Sequence, residues 1–379
     1  MTNPSKALVP VSVLDLSTEN KTFNGSMFLQ GHRGITASAV RRHPEIFDLY
    51  KKLKSMDWDE HEFELEQCAV EFKTRPEGLC RVMLETLAWQ YEGDHVAANS
   101  LAPVVAPFVT DPDLWRFYGR VGDNESLHAL AYEEIERYGI GGDAADVFRG
   151  IVENHEAARR LSRVATAMGR VKEISHKVGL GLIARDSDEA IEGAMLFVAA
   201  VFVLERLQFM VSFAVTFAIG QLGAFMPIVD TVQKIMTEEW TIHVKGGKYV
   251  IGHELTVENS RKAIDRIWPE IEALISGCLE DELHWNYNHL FANGYQLPGV
   301  TPQMLEDWAL YAVNDIYATF KKPNPHRIVS ENPLSYMNRW IDINKNQGSP
   351  QEKRSGNYPL GGIVSGSADE EVSFDLEGL

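Results

Sequence analysis

The run Ala194–Phe225, AMLFVAAVFVLERLQFMVSFAVTFAIGQLGAF, decides how this chain is read. It is long and apolar enough to cross a bilayer. Near its centre stand Glu205, Arg206 and Gln208, and charges at a bilayer midplane are costly. A helix buried in a large soluble bundle accounts for the run better. Glu205 must then be protonated, ion-paired or bound to a metal, because an isolated buried carboxylate is very unfavourable. Phe209, Phe213 and Phe217 follow it at i+4, i+8 and i+12. Arg206 projects about 100° away on the same helix.

The surrounding pattern is helical. Apolar residues recur at i, i+3, i+4 in segments at about 43–56, 61–73, 76–104, 111–138, 144–182, 187–222, 225–250, 257–292 and 302–320. Asp111-Pro112-Asp113, Gly139-Ile140-Gly141-Gly142 and the stretch Asn293–Gly299 punctuate them. Strand signals are scarce, so the expected class is all-α, a bundle of long helices. Residues 1–36 read as irregular, 37–346 as the helical domain, and 347–379 as a Gly-rich flexible tail. The tail ends ValSerPheAspLeuGluGlyLeu, which suits either a partner-docking peptide or a frayed terminus.

The 379 residues carry 36 basic and 54 acidic side chains, a formal net charge of −18. This argues against nucleic acid or an anionic membrane as the main partner. Three cysteines, Cys68, Cys80 and Cys278, form no CxxC pair and suit a reducing, cytoplasmic setting. The N-terminal MTNPSKALVPVSVLDL lacks the apolar core of a secretory signal.

Acid-x-x-His on a helix puts two metal ligands on one face. Four such pairs occur, Glu92/His95, Glu125/His128, Glu173/His176 and Asp281/His284, where about two are expected by chance. Only Glu125/His128 is followed one turn later by a tyrosine on the same face, Tyr132. Glu239 and His243 lie at i, i+4 on the helix after Glu205, and Asp94 lies on the helix before Glu125. Four acids and two imidazoles favour iron or manganese over structural zinc. Four carboxylates balance two divalent ions. The set therefore points to a dinuclear carboxylate centre in a ferritin-like bundle.

These residues resemble the radical-generating small subunit of class I ribonucleotide reductase. The resemblance runs from about Trp58 to the C-terminus. It rests on Asp94, on Glu125-x-x-His128-x-x-x-Tyr132, and on Glu205-x-x-x-Phe209-x-x-x-Phe213. Ile235 with Glu239, the segment NPLSYMNRWIDINKNQGSPQE at 332–352 and the late Tyr358 complete it. It implies that Asp94, Glu125 and His128 hold one metal and Glu205, Glu239 and His243 the other, with Glu125 and Glu239 able to bridge. It implies two iron ions, or manganese, and a stable radical on Tyr132 inside a shell of Phe209, Phe213 and Ile235. Trp58, Glu238 and Tyr358 would relay the radical to a large catalytic subunit, which the C-terminal tail docks, and the chain would be a homodimer. The family's second site is usually Glu-x-x-His. Here His243 falls one residue late, and an i, i+4 pair or a local π-bulge keeps it on the ligand face.

Without the resemblance, Trp58 reads as an amphipathic anchor, Tyr358 as a tail residue, and Tyr132 as a buried tyrosine bonded to a carboxylate. Another di-metal oxidase would need a substrate cavity in place of the Phe shell. Iron-storage shells use shorter subunits, and a transporter would need more than one span.

Overall fold

The computed structural model describes residues 25–29, 41–141, 149, 155–292, 295, 297 and 299–341. The expectations for residues 1–24 and for the tail, Tyr358 included, lie outside the described residues. Helices α1 (Pro44–Lys54), α2 (Glu66–Thr74), α3 (Glu77–Val105) and α4 (Pro112–Glu134) come first. They are followed by α5 (His155–Gly179), α6 (Asp188–Val203), α7 (Met210–Gly220), α8 (Met226–Glu238) and α9 (Val244–Glu254). The last are α10 (Glu258–Trp285), α11 (Pro302–Thr319) and the short α12 (Met337–Ile341). No strand occurs among the described residues, only an isolated antiparallel bridge between Phe28 and Val109.

Local chemistry sets the boundaries. Asp111 caps α4 by accepting from the backbone N–H of Asp113 and Leu114, and Pro112 occupies the first turn. Ser187 and Thr301 cap α6 and α11 in the same way. Phe225 adopts the left-handed conformation, φ 53°, and turns the chain from α7 into α8.

Four helices widen into π turns, at Ile135–Ile140, Leu204–Phe209, Glu239–His243 and Asn286–Leu290. Two of these interrupt continuous rods and carry functional candidates, a usual place for such turns. The rod Asp188–Gly220 joins α6 and α7 through the second turn, and 94% of its most apolar window is buried inside the bundle. It is a core helix, as the charges at its centre require.

Helix α3 packs along α4, α5 along α6, and α10 against both α5 and α6. Their apolar faces form one core in which Leu207, Phe209, Phe213, Phe217 and Ile235 are fully buried. Close approach depends on Gly246 of α9, where an added Cβ would overlap the Phe117 ring of α4. Gly169 of α5 faces open space instead. Gly246→Ala should lower stability by about 1–3 kcal/mol through overpacking. Gly169→Ala should raise it by about 0.5–1 kcal/mol through helix propensity. Denaturant unfolding measures both, and a stabilised Gly246→Ala would contradict this packing.

Candidate metal centre

Four helical segments deliver the charged groups to one place. Helix α3 contributes Asp94, α4 contributes Glu125 and His128, and the π turn after α6 contributes Glu205. The π turn after α8 contributes Glu239 and His243. Asp94, Glu125, His128 and Glu239 are fully buried, and Glu205 and His243 are 1% and 5% exposed.

The six side chains form two overlapping groups. Ligand atoms of Asp94, Glu125, His128 and Glu239 lie within 4.8 Å of one another, as do those of Glu125, Glu205, Glu239 and His243. Glu125 and Glu239 belong to both groups. The imidazoles face each other across the cluster, ring centroids 6.0 Å apart. Nδ1 of His128 lies 3.0 Å from Glu239 Oε1 and 3.6 Å from Glu125 Oε2. Nδ1 of His243 lies 2.6 Å from Glu239 Oε2, 3.2 Å from Glu125 Oε1 and 3.9 Å from Glu205 Oε1. The shifted histidine therefore reaches the cluster, and its extra residue is taken up by the π turn Glu239–His243.

The outer nitrogens are held. His128 Nε2 lies 2.9 Å from Glu238 Oε2, and His243 Nε2 lies 3.1 Å from Asn124 Oδ1. An Nε2–H donating outward fixes the tautomer that leaves Nδ1 free for a metal. Glu238 Oε2 also accepts from Trp58 Nε1–H and from Asn124 Nδ2–H, each at 3.0 Å. One carboxylate oxygen thus joins Trp58 to a candidate metal ligand.

Both oxygens of Asp94, Glu125, Glu205 and Glu239, and Nδ1 of each histidine, have no hydrogen-bond partner outside the cluster itself. Buried polar atoms are nearly always satisfied. Ten orphans converging on one point fit a pair of divalent cations, whose charge four carboxylates would balance. Burial, then the charge of Glu125, pushes the Asp94 pKa well up. Burial, then the charge of Glu239, does the same to Glu205. Burial alone would raise Glu239, but His243 outweighs it and holds Glu239 well below the usual range. Burial alone would lower His243, but Glu239 and Glu125 outweigh it and raise it to about 10. His128 is raised against its burial by Glu125, Glu238 and Glu239.

Tyr132 follows His128 by one turn and is 1% exposed. Its hydroxyl donates to Gln90 Oε1 at 3.3 Å, and Gln90 Nε2 donates to Thr216 Oγ1 at 3.2 Å. Burial, then Asp94, Glu239 and Glu125, raises its phenol pKa, so the hydroxyl keeps its proton. Phe209 stacks on Phe213 with centroids 5.7 Å apart, and its ring lies against Gly93, beside Asp94.

The other acid-x-x-His pairs do different work. Glu173 pairs with Lys177, Asp281 with Arg159 and Arg163, and His284 with Glu156. His95 Nδ1 lies 3.0 Å from the carbonyl of Tyr91. Arg206, beside Glu205, is buried on Asp315 and does not neutralise its neighbour. Sequence reasoning missed Asn124 and Gln90, whose amide spacing alone carries no signal.

The chain matches the family model of the ribonucleotide reductase small chain over residues 39–333. It is 23% identical to the ribonucleoside-diphosphate reductase subunit beta of Buchnera aphidicola subsp. Baizongia pistaciae, covering 94% of this chain and 98% of that one. It is also 23% identical to the corresponding Haemophilus influenzae protein, covering 92% and 94%. In fold it is similar to the ribonucleotide reductase R2 subunit from Clostridium botulinum, with TM-score 0.72, 14% identity and 89% and 100% of the two chains covered. It is similar too to the Streptococcus sanguinis dimanganese(II)-NrdF, with TM-score 0.59, 13% identity and 80% and 98% covered. With more than three quarters of its length matched by that family model, the chain belongs to the ribonucleotide reductase small-chain family.

Proposed function

We propose that this chain is the radical-generating small subunit of a class I ribonucleoside-diphosphate reductase, an oxidoreductase, with Tyr132 as the radical site. The observation that carries the reading is the convergence of ten unsatisfied ligand atoms in a dry core one helical turn from a buried phenol. Asp94, Glu125 and His128 would hold one metal, and Glu205, Glu239 and His243 the other. Glu125 and Glu239, which belong to both groups, would be shared between them. The pair is iron, and the same donors would accept manganese.

When bound, the metal pair supplies the oxygen-derived oxidising power that a phenol cannot generate for itself. The chain does the rest. Gln90 orients the Tyr132 hydroxyl. Phe209, Phe213 and Ile235, all fully buried, keep water and reductants away from the ring. Glu238 holds the outer nitrogen of His128 and the indole N–H of Trp58 on one oxygen. When the Trp58 ring loses an electron, its proton passes along that bond to Glu238. The oxidising equivalent then leaves through Trp58 and Tyr358 to a separate large subunit, which reduces ribonucleotides to deoxyribonucleotides. The domain 37–346 forms a homodimer, and the tail 347–379 docks that subunit. The protein acts in the cytoplasm.

Aerobic loading with ferrous iron should give a tyrosyl signal by electron paramagnetic resonance, and Tyr132→Phe should abolish the stable signal while binding the same metal. An unchanged signal in that variant would remove Tyr132 from this role. Loading should also release protons. Below about pH 10 His243 is protonated without metal, and the metal must displace that proton. Mn(II) affinity should therefore rise with pH up to about 10. By the same sign, the stability His243 gives the metal-free fold is present below its unfolded pKa of about 6.5 and is lost as pH rises through about 10. Anaerobic Mn(II) calorimetry in buffers of different protonation enthalpy measures the release, and zero release would contradict the site.

A further inference from the structure

A buried charge beside the candidate metal centre has no place in the account so far. Arg160 of α5 is 1% exposed. Its Cζ lies 4.1 Å over the ring of Trp89 on α3 and 4.1 Å over the ring of Trp285 on α10. Glu282 takes the edge that carries Nε and Nη2, at 3.0 and 2.9 Å. The indoles are left the faces of the guanidinium, so the charge nearest each ring is positive. Trp89 in turn packs on Phe209 with centroids 5.5 Å apart and reaches Gly93, next to Asp94. An oxidisable indole thus borders the centre with a cation on its face. Its Nε1–H has no hydrogen-bond partner. Trp58 is the reverse case, because its Nε1–H donates to the Glu238 carboxylate at 3.0 Å. The cation recurs at Trp240, next to Glu239, where Arg206 stands over the ring at 5.1 Å.

We propose that Arg160 insulates Trp89 against oxidation, so that the oxidising equivalent is drawn from Tyr132 and Trp58 and not from Trp89. This rests on the chain being a radical generator. The step that Arg160 suppresses is simple. Trp89 would give one electron to the oxygen-derived oxidant at the metal pair, which is reduced by one electron, and the ring would be left as an indole radical cation. The attraction between the guanidinium and the electron-rich ring face would then turn into repulsion between two positive groups about 4 Å apart in a dry core. The radical cation has no relief by proton loss, because nothing accepts from Nε1–H. At Trp58 the same proton has Glu238 to receive it. Two tryptophans of equal intrinsic chemistry are thereby given opposite roles by their surroundings. Arg160 touches no metal ligand and acts through Trp89, which makes it a positioning residue.

The charge can be removed without stranding its partner. Arg160→Gln with Glu282→Gln is one neutral pair. Arg160→Met with Glu282→Leu is a second, since apolar replacement of a buried ion pair is often tolerated. Arg160→Lys keeps the charge. Full-length proteins carrying ring-deuterated tryptophan are loaded aerobically with ferrous iron, freeze-quenched and read by electron paramagnetic resonance. The signal assigned to Trp89 is the one that narrows on deuteration and disappears with Trp89→Phe. It should rise at least about ten-fold in the neutral pairs and stay at the wild-type level in Arg160→Lys. A neutral pair with wild-type tyrosyl yield and no Trp89 signal overturns the insulation, as does a Trp89 signal of equal size in Arg160→Lys. Tyr132→Phe protein tests the same claim with Arg160 intact. Adding Trp89→Phe should leave its tryptophan signal unchanged, and loss of that signal overturns the proposal even if no Arg160 variant folds. Absence of any radical in wild-type protein would instead defeat the reading of the chain as a radical generator.

Discussion

Four carboxylates buried together, with no polar contact beyond two histidines of the same cluster, constrain everything else in this molecule. An isolated ionised carboxylate in an apolar interior is unfavourable by several kcal/mol or more. Asp94, Glu125, Glu205 and Glu239 share one such interior, and no lysine or arginine reaches them in the described contacts. The two histidines that do reach them, His128 and His243, are themselves conventional metal ligands. The fold must therefore bring in cations or hold protons, and burial with neighbouring like charge pushes the pKa values of Asp94 and Glu205 up, the direction that favours holding protons. The rod that carries Glu205, Asp188–Gly220, is itself apolar and largely buried, so water cannot easily take the place of either.

Helix phase is the second constraint. Ligands on four rods meet only if each rod presents the right face at the right height. Two π turns sit where that matters, Leu204–Phe209 with Glu205 and Glu239–His243 with the second histidine. The extra residue between Glu239 and His243 would rotate a strict Glu-x-x-His pattern, and the wider turn absorbs it. The same turn leaves Glu238 facing Trp58 and His128. One local irregularity thus serves both the candidate metal site and the proposed exit for the oxidising equivalent.

Much of this was legible before any coordinates. Glu205 announced itself as a charge inside an apolar run, and Tyr132 by its i+4 spacing from His128. The start of α4 followed from Asp111-Pro112, whose capping chemistry is local. Asn124 and Gln90 were not legible, because their roles come from how α4 meets the end of α8 and its π turn, and how α3 meets α4, and spacing along one helix does not encode such crossings. The competing Asp281/His284 pair shows the converse: its spacing is right, but Arg159, Arg163 and Glu156 on α5 claim both members. The roles expected for Tyr358 and the tail lie outside the described residues.

Anomalous diffraction from crystals soaked in Mn(II) tests the central claim most directly. The account predicts two peaks about 3.5–4 Å apart, bridged by Glu125 and Glu239, with Nδ1 of His128 on one and Nδ1 of His243 on the other. A single peak, or two peaks with His243 turned away, would contradict it.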